Sequence, residues 1–303
     1  MISKEDITAE LAAKLVASQF PEWADLPVTP VELNGWDNTT FRLGDDKSVR
    51  LPIGEAYALA VEKEHRWLPV LAPRLPLPIP RPLALGSPDD RYPWPWSVYE
   101  WLQGEPATVE RVADLGALAK DLAGFLTALY SVDTTDGPAS DLHCFFRGGP
   151  LSVWDEMTRR AISELGDEID ALGALATWEA AVAAAFDGSA VWFHGDVSAS
   201  NLLVADGRLR AVIDFGTTGV GDPACDLPIA WTLFADDSRS AFRNELSLDA
   251  ATWTRGRGWA LWKALITMQQ ARHQEGGAEE RFGWRWSSAR VIDEVVAEHQ
   301  QTT

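Results

Sequence analysis

Phe193-His194-Gly195-Asp196-Val197-Ser198-Ala199-Ser200-Asn201, followed after eleven residues by Ile213-Asp214-Phe215-Gly216, is the stretch that organises this chain. Asp196 and Asn201 stand five residues apart, and Asp214 lies thirteen beyond Asn201. A carboxylate at Asp196 can accept the proton of an incoming hydroxyl, while Asn201 and Asp214 offer hard oxygen atoms of the kind magnesium prefers. The flanks are consistent with that use. Val191-Trp192-Phe193 reads as a short buried strand entering the loop. Leu202 to Val204 and Leu209 to Ile213 read as a hairpin with Ala205-Asp206-Gly207-Arg208 as its turn, so the second strand delivers Asp214 to the same place. A lone His-x-Asp is a common turn or core feature; here it occurs with the Asn, the hairpin and Asp-Phe-Gly in register.

Upstream, Ile2 to Phe20 carries helical apolar spacing at Ile7, Leu11 and Leu15. A β-rich stretch follows: Val31-Glu32-Leu33, Thr40 to Leu43 and Ser48 to Leu51, the last two joined by the turn Gly44-Asp45-Asp46-Lys47. Glu55 to Leu71 reads as a helix. The prolines from Pro69 to Pro82 read as an extended connector beside a sheet, with a polyproline ligand as the other possibility. Trp96 to Leu102 is a strand leading out at Gln103-Gly104. After Gly104 the texture turns helical, with spans expected at Val109–Tyr130, Leu151–Leu165, Ala174–Phe186, Asp226–Phe234, Ala250–Arg272 and Ser287–His299. A sheet-rich first third and a helical remainder predict an α+β two-lobe fold, divided as 1–103 and 104–303, with the small-molecule site in the cleft.

Composition narrows the function. The chain has 303 residues, 46 % hydrophobic and 23 % charged, as expected of a globular protein with a substantial core. A formal net charge of −19 argues against nucleic acid, which is bound through neutralised phosphates. The deficit is spread along the chain: residues 1–103 hold 10 basic and 15 acidic side chains. Such a field suits a cationic second substrate, although simple solubility explains it as well. Cys144 and Cys225 neither build a disulfide framework nor stand at metal-ligand spacing. No basic flank and apolar run opens the chain, and apolar stretches such as Gly116 to Tyr130 are broken by charges, so a cytoplasmic protein without a membrane span is expected. Fifteen tryptophans are read mainly as core.

The central motif resembles that of protein-kinase-like enzymes. Together with Gly219-Val220-Gly221-Asp222-Pro223-Ala224-Cys225-Asp226-Leu227 and Gly35-Trp36-Asp37-Asn38-Thr39-Thr40-Phe41-Arg42-Leu43, it makes the chain similar to the aminoglycoside phosphotransferase family. That resemblance implies the protein-kinase-like fold, ATP (or GTP) and Mg2+ as cofactors, and transfer of the γ-phosphoryl group to a small-molecule hydroxyl. It implies Asp196 as the residue that accepts or orients the hydroxyl proton, with Asn201 and Asp214 on the metal. His194 is then a loop brace. Backbone groups of Glu100 and Leu102 would meet adenine, and Asp222 and Asp226 would brace the loop and cap the helix that follows. The nucleotide loop keeps only Gly35, with Asp37, Asn38, Thr39 and Thr40 left to donate to phosphates. Arg50 stands where the template has a strand lysine, paired with Glu64 or, one face away, Glu62. The short interval from Asp214 to Asp222, with Gly195 in place of an arginine, leaves no activation loop, and Thr217 and Thr218 read as loop residues.

For the acceptor, the resemblance implies an aminoglycoside, recognised by carboxylates. Asp236 and Asp237, at the end of the helix after Asp226, and Glu156 are the candidates, with Asp155, Glu245 and the group Glu275, Glu279, Glu280 behind them. Trp231, Trp259, Trp262, Trp284 and Trp286 could instead line a site for a sugar-like or quaternary ammonium compound. A metabolic small-molecule kinase and a nucleotide-binding module without transfer, the latter suggested only by Arg50, remain open. No obligatory protein partner is expected.

Overall fold

The computed structural model describes residues 3–32, 34–272 and 282–302. The chain divides into two compact units, one of residues 1–103 with 214–216, the other of residues 104–213 with 217–303.

In the first unit, strands β1 (Val28–Pro30), β2 (Asn38–Leu43), β3 (Lys47–Pro52), β4 (Pro82–Gly86) and β5 (Trp96–Glu100) form, among the described residues, a five-stranded antiparallel sheet in the order β1-β2-β3-β5-β4. Strict alternation along β2 sends Thr39, Phe41 and Leu43 inward. There Phe41 and Leu43 join Val49, Leu51, Trp96 and Val98 and the helix α1 (Ala9–Gln19) through Leu15 and Val16. α1 starts later than the apolar spacing predicts because Thr8 caps it, its hydroxyl accepting from Leu11 N. Helix α2 (Glu55–Leu71) spans the expected residues. The strand expected at 31–33 is displaced: β1 pairs Val28–Pro30 with β2, and Leu33 lies outside the described residues. The proline stretch is also less uniform than an extended connector, since Pro69 sits in the last turns of α2 and Pro82 opens β4.

The second unit is mainly helical: α3 (Leu115–Tyr130), α4 (Asp155–Leu165), α5 (Ala171–Ala183), α6 (Ile229–Thr232), α7 (Asp236–Leu246), α8 (Ala250–Ala271) and α9 (Ser288–Thr302). Helix starts follow local capping chemistry more closely than apolar spacing. Asp114 accepts from Gly116 N and Ala117 N, so α3 begins there and not at Val109. Asp170 does the same for α5, and Leu151–Trp154 is a separate 3-10 turn ahead of α4. α8 lies against α4, α5 and α9 with buried Trp253, Trp259, Leu261 and Leu265. Glu298 fastens α9 to its neighbours, accepting from Arg243 at 2.5 Å, Arg257 at 3.0 Å and Trp231 Nε1 at 2.9 Å. Burial would lift its carboxyl, but Arg243 and these hydrogen bonds outweigh that and hold it below the usual range. Two small sheets flank the segment 194–201. β6 (Glu105–Pro106), β8 (Leu202–Ala205) and β9 (Arg208–Val212) form one, and β7 (Val191–Phe193) with β10 (Gly219–Gly221) forms the other. The β8–β9 turn is the expected one; Asp206 and Gly207 both take positive φ, 52° and 72°, as a tight two-residue hairpin turn requires. Among the described residues, no helix is long and apolar enough to cross a membrane. Both cysteines are free and buried.

Candidate active site

Strand β7 ends at Phe193 and the chain then turns through Gly195 at φ +88°, where a Cβ would stand 2.6 Å from Thr217 O, so only glycine fits. The turn is held from several sides. Asp226 Oδ2 accepts from His194 N at 3.0 Å and its Oδ1 from Gly195 N at 2.6 Å. His194 Nε2 donates to Ile213 O at 2.9 Å while Nδ1 accepts from Asp196 N at 3.2 Å, which makes the imidazole a brace. Burial is the main reason the Asp226 carboxyl is pushed up to about 6, with His194 and the backbone hydrogen bonds opposing it. Asp222 opens the next turn by accepting from Ala224 N and pairs with Arg255 at 2.6 Å, both side chains buried.

These braces present the Asp196 carboxylate. Asn201 Nδ2 donates to Asp196 O at 2.9 Å and to Oδ2 at 3.1 Å. Both partners are pure acceptors, so the amide orientation is settled chemically and Oδ1 is the end able to ligate a cation. Lys263, from α8, places Nζ 2.5 Å from Asp196 Oδ1. Arg147 donates from Nε to Gly195 O at 3.1 Å, its guanidinium 4.4 Å from the Trp262 ring centroid and 5.4 Å from that of Trp259. Burial alone would raise the Asp196 carboxyl; the Lys263 ammonium, its hydrogen bond and Arg147 reverse the sign and hold it below the usual carboxylate range. A pocket opens here, lined by Arg147, Gly195, Asp196, Val197, Cys225, Pro228, Trp259, Trp262 and Lys263.

A second constellation lies in the sheet-bearing unit. Arg50 on β3 donates from Nη2 to Asp214 Oδ1 at 2.8 Å, and its Nη1 is 3.8 Å from Glu64 Oε1 on α2. Glu64 also accepts from Tyr99 OH, whereas Glu62 is exposed on another face of the helix. Burial opposes the charge of Arg50, but Asp214 and Glu64 more than restore it, so the guanidinium stays protonated. Burial raises the Glu64 carboxyl, and Arg50 and the Tyr99 hydroxyl offset only part of that rise. Asp214 takes φ +67°, in the left-handed region that few non-glycine residues occupy.

The remaining expected residues are spread more widely. Asn38 and Thr39 lie inside β2, paired with Pro52 and Leu51, and Thr40 N donates to Asn34 Oδ1, so these residues are part of a strand and not of an open nest. The Thr39 hydroxyl is buried without a hydrogen-bond partner among the described residues. Glu100 ends β5, and Leu102 follows in the irregular segment 101–104. Asp236 and Asp237 begin α7 and do not end the preceding helix; both are exposed, and neither lines the pocket at Asp196. Glu156 forms an exposed pair with Arg160, Asp155 binds Arg159 and Trp178 Nε1, and Glu245 is exposed. Glu275, Glu279 and Glu280 lie outside the described residues. Of the tryptophans, Trp259 and Trp262 line the pocket, while Trp231 is fully buried against Trp253. Arg147 and Lys263 were not anticipated. Lys263 had one sequence signal, a lone charge within the apolar run Trp259 to Leu265.

Residues 28–259 match the sequence profile of a family described as the phosphotransferase enzyme family. The chain belongs to that family. Its members are nucleotide-dependent phosphotransferases acting on small molecules. No curated protein matches significantly by sequence. Among solved structures, the GDP and kanamycin complex of APH(2")-IIia aligns with a TM-score of 0.70 at 16 % identity, covering 96 % of this chain and 99 % of that one. The streptomycin–ATP–APH(2")-IIa ternary complex aligns with a TM-score of 0.59 at 20 % identity, covering 100 % and 98 %. Macrolide 2'-phosphotransferase MphH from Brachybacterium faecium gives 0.58 at 21 % identity, covering 94 % and 98 %. The family fold, α+β and kinase-like with a sheet-containing N-terminal region and a helical C-terminal region, is therefore the fold of this phosphotransferase.

Proposed function

We propose that this family member transfers the γ-phosphoryl group of ATP, with GTP as a second donor, to a hydroxyl of a small molecule seated at Asp196. The observation that carries this reading is the fixed Asp196 carboxylate facing a pocket, with Asn201 and Lys263 on its two oxygens. Asp196 orients the acceptor hydroxyl and takes its proton as the O–P bond forms; because such transition states are loose, alignment and charge compensation count for more than basicity. Lys263 and Arg147 keep the carboxylate ionised at neutral pH.

Asn201 Oδ1 and the Asp214 carboxylate are the oxygens proposed to hold magnesium. The donor set suits that ion, which favours one or two protein oxygens together with phosphates and water. Among the described residues no three His, Cys, Asp or Glu side chains gather to form an all-protein cage. Bound there, magnesium would neutralise the charge of the phosphates. In the same proposal Arg50, positioned by Glu64, grips phosphate oxygens, and Asn38, Thr39, Glu100 and Leu102 contribute to the nucleotide site of residues 1–103. Residues 104–303 supply the catalytic loop and the acceptor site.

Similar structures in complex with kanamycin, gentamicin or streptomycin, and that of a macrolide 2'-phosphotransferase, make antibiotics the first acceptors to assay. A metabolic acceptor is the second reading, favoured by Arg147 and Lys263 at the pocket and by the absence of Asp236, Asp237 and Glu156 from its lining. The test is acceptor-dependent consumption of ATP and GTP with magnesium and after its chelation, together with Asp196→Ala. General-base and orienting contributions of this kind run to about 10²–10⁴-fold, and the variant should lose at least the lower figure. Near-full turnover in Asp196→Ala would overturn the assignment.

A further inference from the structure

We propose that Lys263 is a second catalytic residue: its ammonium, held on Asp196, also receives the phosphoryl group as that group passes to the acceptor hydroxyl. This rests on reading Asp196 as the acceptor-facing carboxylate and adds a residue that touches the reacting atoms.

Packing alone does not explain where Lys263 stands. It interrupts the apolar run Trp259 to Leu265 on α8, and its side chain is only 12 % exposed. An ammonium in such a place is costly unless a counter-charge meets it. Asp196 does so, with Nζ 2.5 Å from Oδ1. The carboxylate does not need that contact to keep its orientation, because Asn201 Nδ2 already donates to Asp196 O and Oδ2. Among the described residues Asp196 Oδ1 is the one hydrogen-bond acceptor of the ammonium, and the Phe282 ring centroid lies 5.0 Å from Nζ. An ammonium has three protons, so capacity to donate remains beside the carboxylate. Lys263 and Asp196 both line the pocket.

The transfer step has use for a cation at this point. The acceptor oxygen bonds to the γ-phosphorus while the bond from phosphorus to the bridging oxygen breaks, its electron pair leaving on the nucleoside diphosphate. The hydroxyl proton goes to Asp196, and Lys263 keeps its own protons. Charge in that loose transition state is spread over the oxygens of the moving group. A hydroxyl on Asp196 stands about 2.5–2.7 Å from a carboxylate oxygen, with phosphorus about 3–3.5 Å further on. A lysine on the same carboxylate reaches the phosphoryl oxygens by a small turn of its four-carbon stem. The segment 194–201 supplies no such cation itself: it contains no lysine or arginine, and His194 is occupied as a brace. Arg147 serves the turn, its Nε donating to Gly195 O. An ammonium fixed beforehand beside the place where charge develops needs little reorganisation at the moment of transfer.

The experiment measures the affinity of the intact protein for MgADP and MgGDP by calorimetry, each alone and with aluminium fluoride, a stand-in for the phosphoryl group in flight. Aluminium fluoride should tighten the binding of a diphosphate to the wild-type protein. Lys263→Gln keeps a donor for Asp196 and removes the charge. It should bind the diphosphate alone within about 2-fold of wild type and lose about 10²-fold in affinity for the fluoride complex. Lys263→Arg should recover part of that loss, and melting temperatures confirm that the variants fold. The same Lys263→Gln change made on Asp196→Asn, where no carboxylate is left to act through, should again weaken the fluoride complex. That background also leaves no unpaired carboxylate, so the comparison stands even if Lys263→Gln alone does not fold. The proposal is overturned if the wild-type protein gains nothing from aluminium fluoride, or if a folded Lys263→Gln keeps the gain. It is equally overturned if Lys263→Gln weakens the complex only where Asp196 is intact, which would make the lysine a positioning residue for the carboxylate. Failure of the wild-type protein to bind either diphosphate refutes the transfer reading itself, and the proposal with it.

Discussion

Asp226 allows a prediction whose size follows from its surroundings. Its carboxyl is fully buried and is pushed up to about 6 from an ordinary 3.8, mainly by desolvation. Below pH 3.8 the folded and unfolded chains both hold this proton. Between 3.8 and 6 the unfolded chain releases it and the folded chain does not, so stability falls as pH rises; above 6 the loss is complete. At about 1.4 kcal/mol for each unit of pKa difference, the group should withdraw about 3 kcal/mol of stability between pH 4 and pH 7. Other carboxylates change stability over the same range, so the measured quantity is a difference from Asp226→Asn, which cannot titrate. Asparagine offers one oxygen where Gly195 N–H and His194 N–H each have their own, and one orphaned donor costs about 1–3 kcal/mol at every pH. That offset moves the whole curve but does not tilt it. Urea unfolding at constant ionic strength, followed by tryptophan emission from pH 4 to pH 7, gives both curves. The wild-type protein should lose about 3 kcal/mol relative to the variant across the range. Parallel curves would refute the argument, since they would mean that Asp226 ionises in the folded protein as readily as in the unfolded chain.

Three further outcomes are expected. Arg255→Met leaves the buried Asp222 carboxylate without its partner and should cost about 3–5 kcal/mol in denaturant unfolding; the double change with Asp222→Asn should recover much of that, and a cost below 1 kcal/mol for the single change would contradict the buried pair. Gly195→Ala forces a Cβ against Thr217 O at a φ of +88°, and a loss of about 1–3 kcal/mol should appear as a lowered melting temperature; an unchanged melt would count against the tight turn. Arg50→Gln removes a charge-assisted bond of roughly 1.5–3 kcal/mol, so the nucleotide KM should rise about 10- to 100-fold in steady-state assays, and an unaltered KM would remove Arg50 from the nucleotide site.

Local features were legible in the sequence, and long-range pairings were not. The β8–β9 hairpin and helix α2 each follow from residues within a few positions of one another, where turn chemistry and periodicity act directly, whereas the bracing role of His194, which reaches Ile213 and Asp226, came from the family resemblance. The start of α3 was misread by six residues because apolar spacing extends past the cap that Asp114 provides. The acid candidates for the acceptor failed to gather for a different reason. In a chain with 45 Asp and Glu residues, position along the sequence does not say which ones face a pocket. Lys263 and Arg147 lie 67 and 48 residues from their partners Asp196 and Gly195, beyond the reach of any local pattern. What could have been noticed is a lysine in a helix segment too apolar to solvate it, which must find a counter-charge in the folded protein.

The stretch after Phe215 leaves little room for a regulatory latch. Thr217 Oγ1 donates to His194 O at 3.0 Å, Thr218 Oγ1 to Phe193 O at 2.5 Å, and Gly219 to Gly221 then run as a strand against β7. Swinging this stretch aside would unmake those bonds together and uncover the turn that holds Asp196.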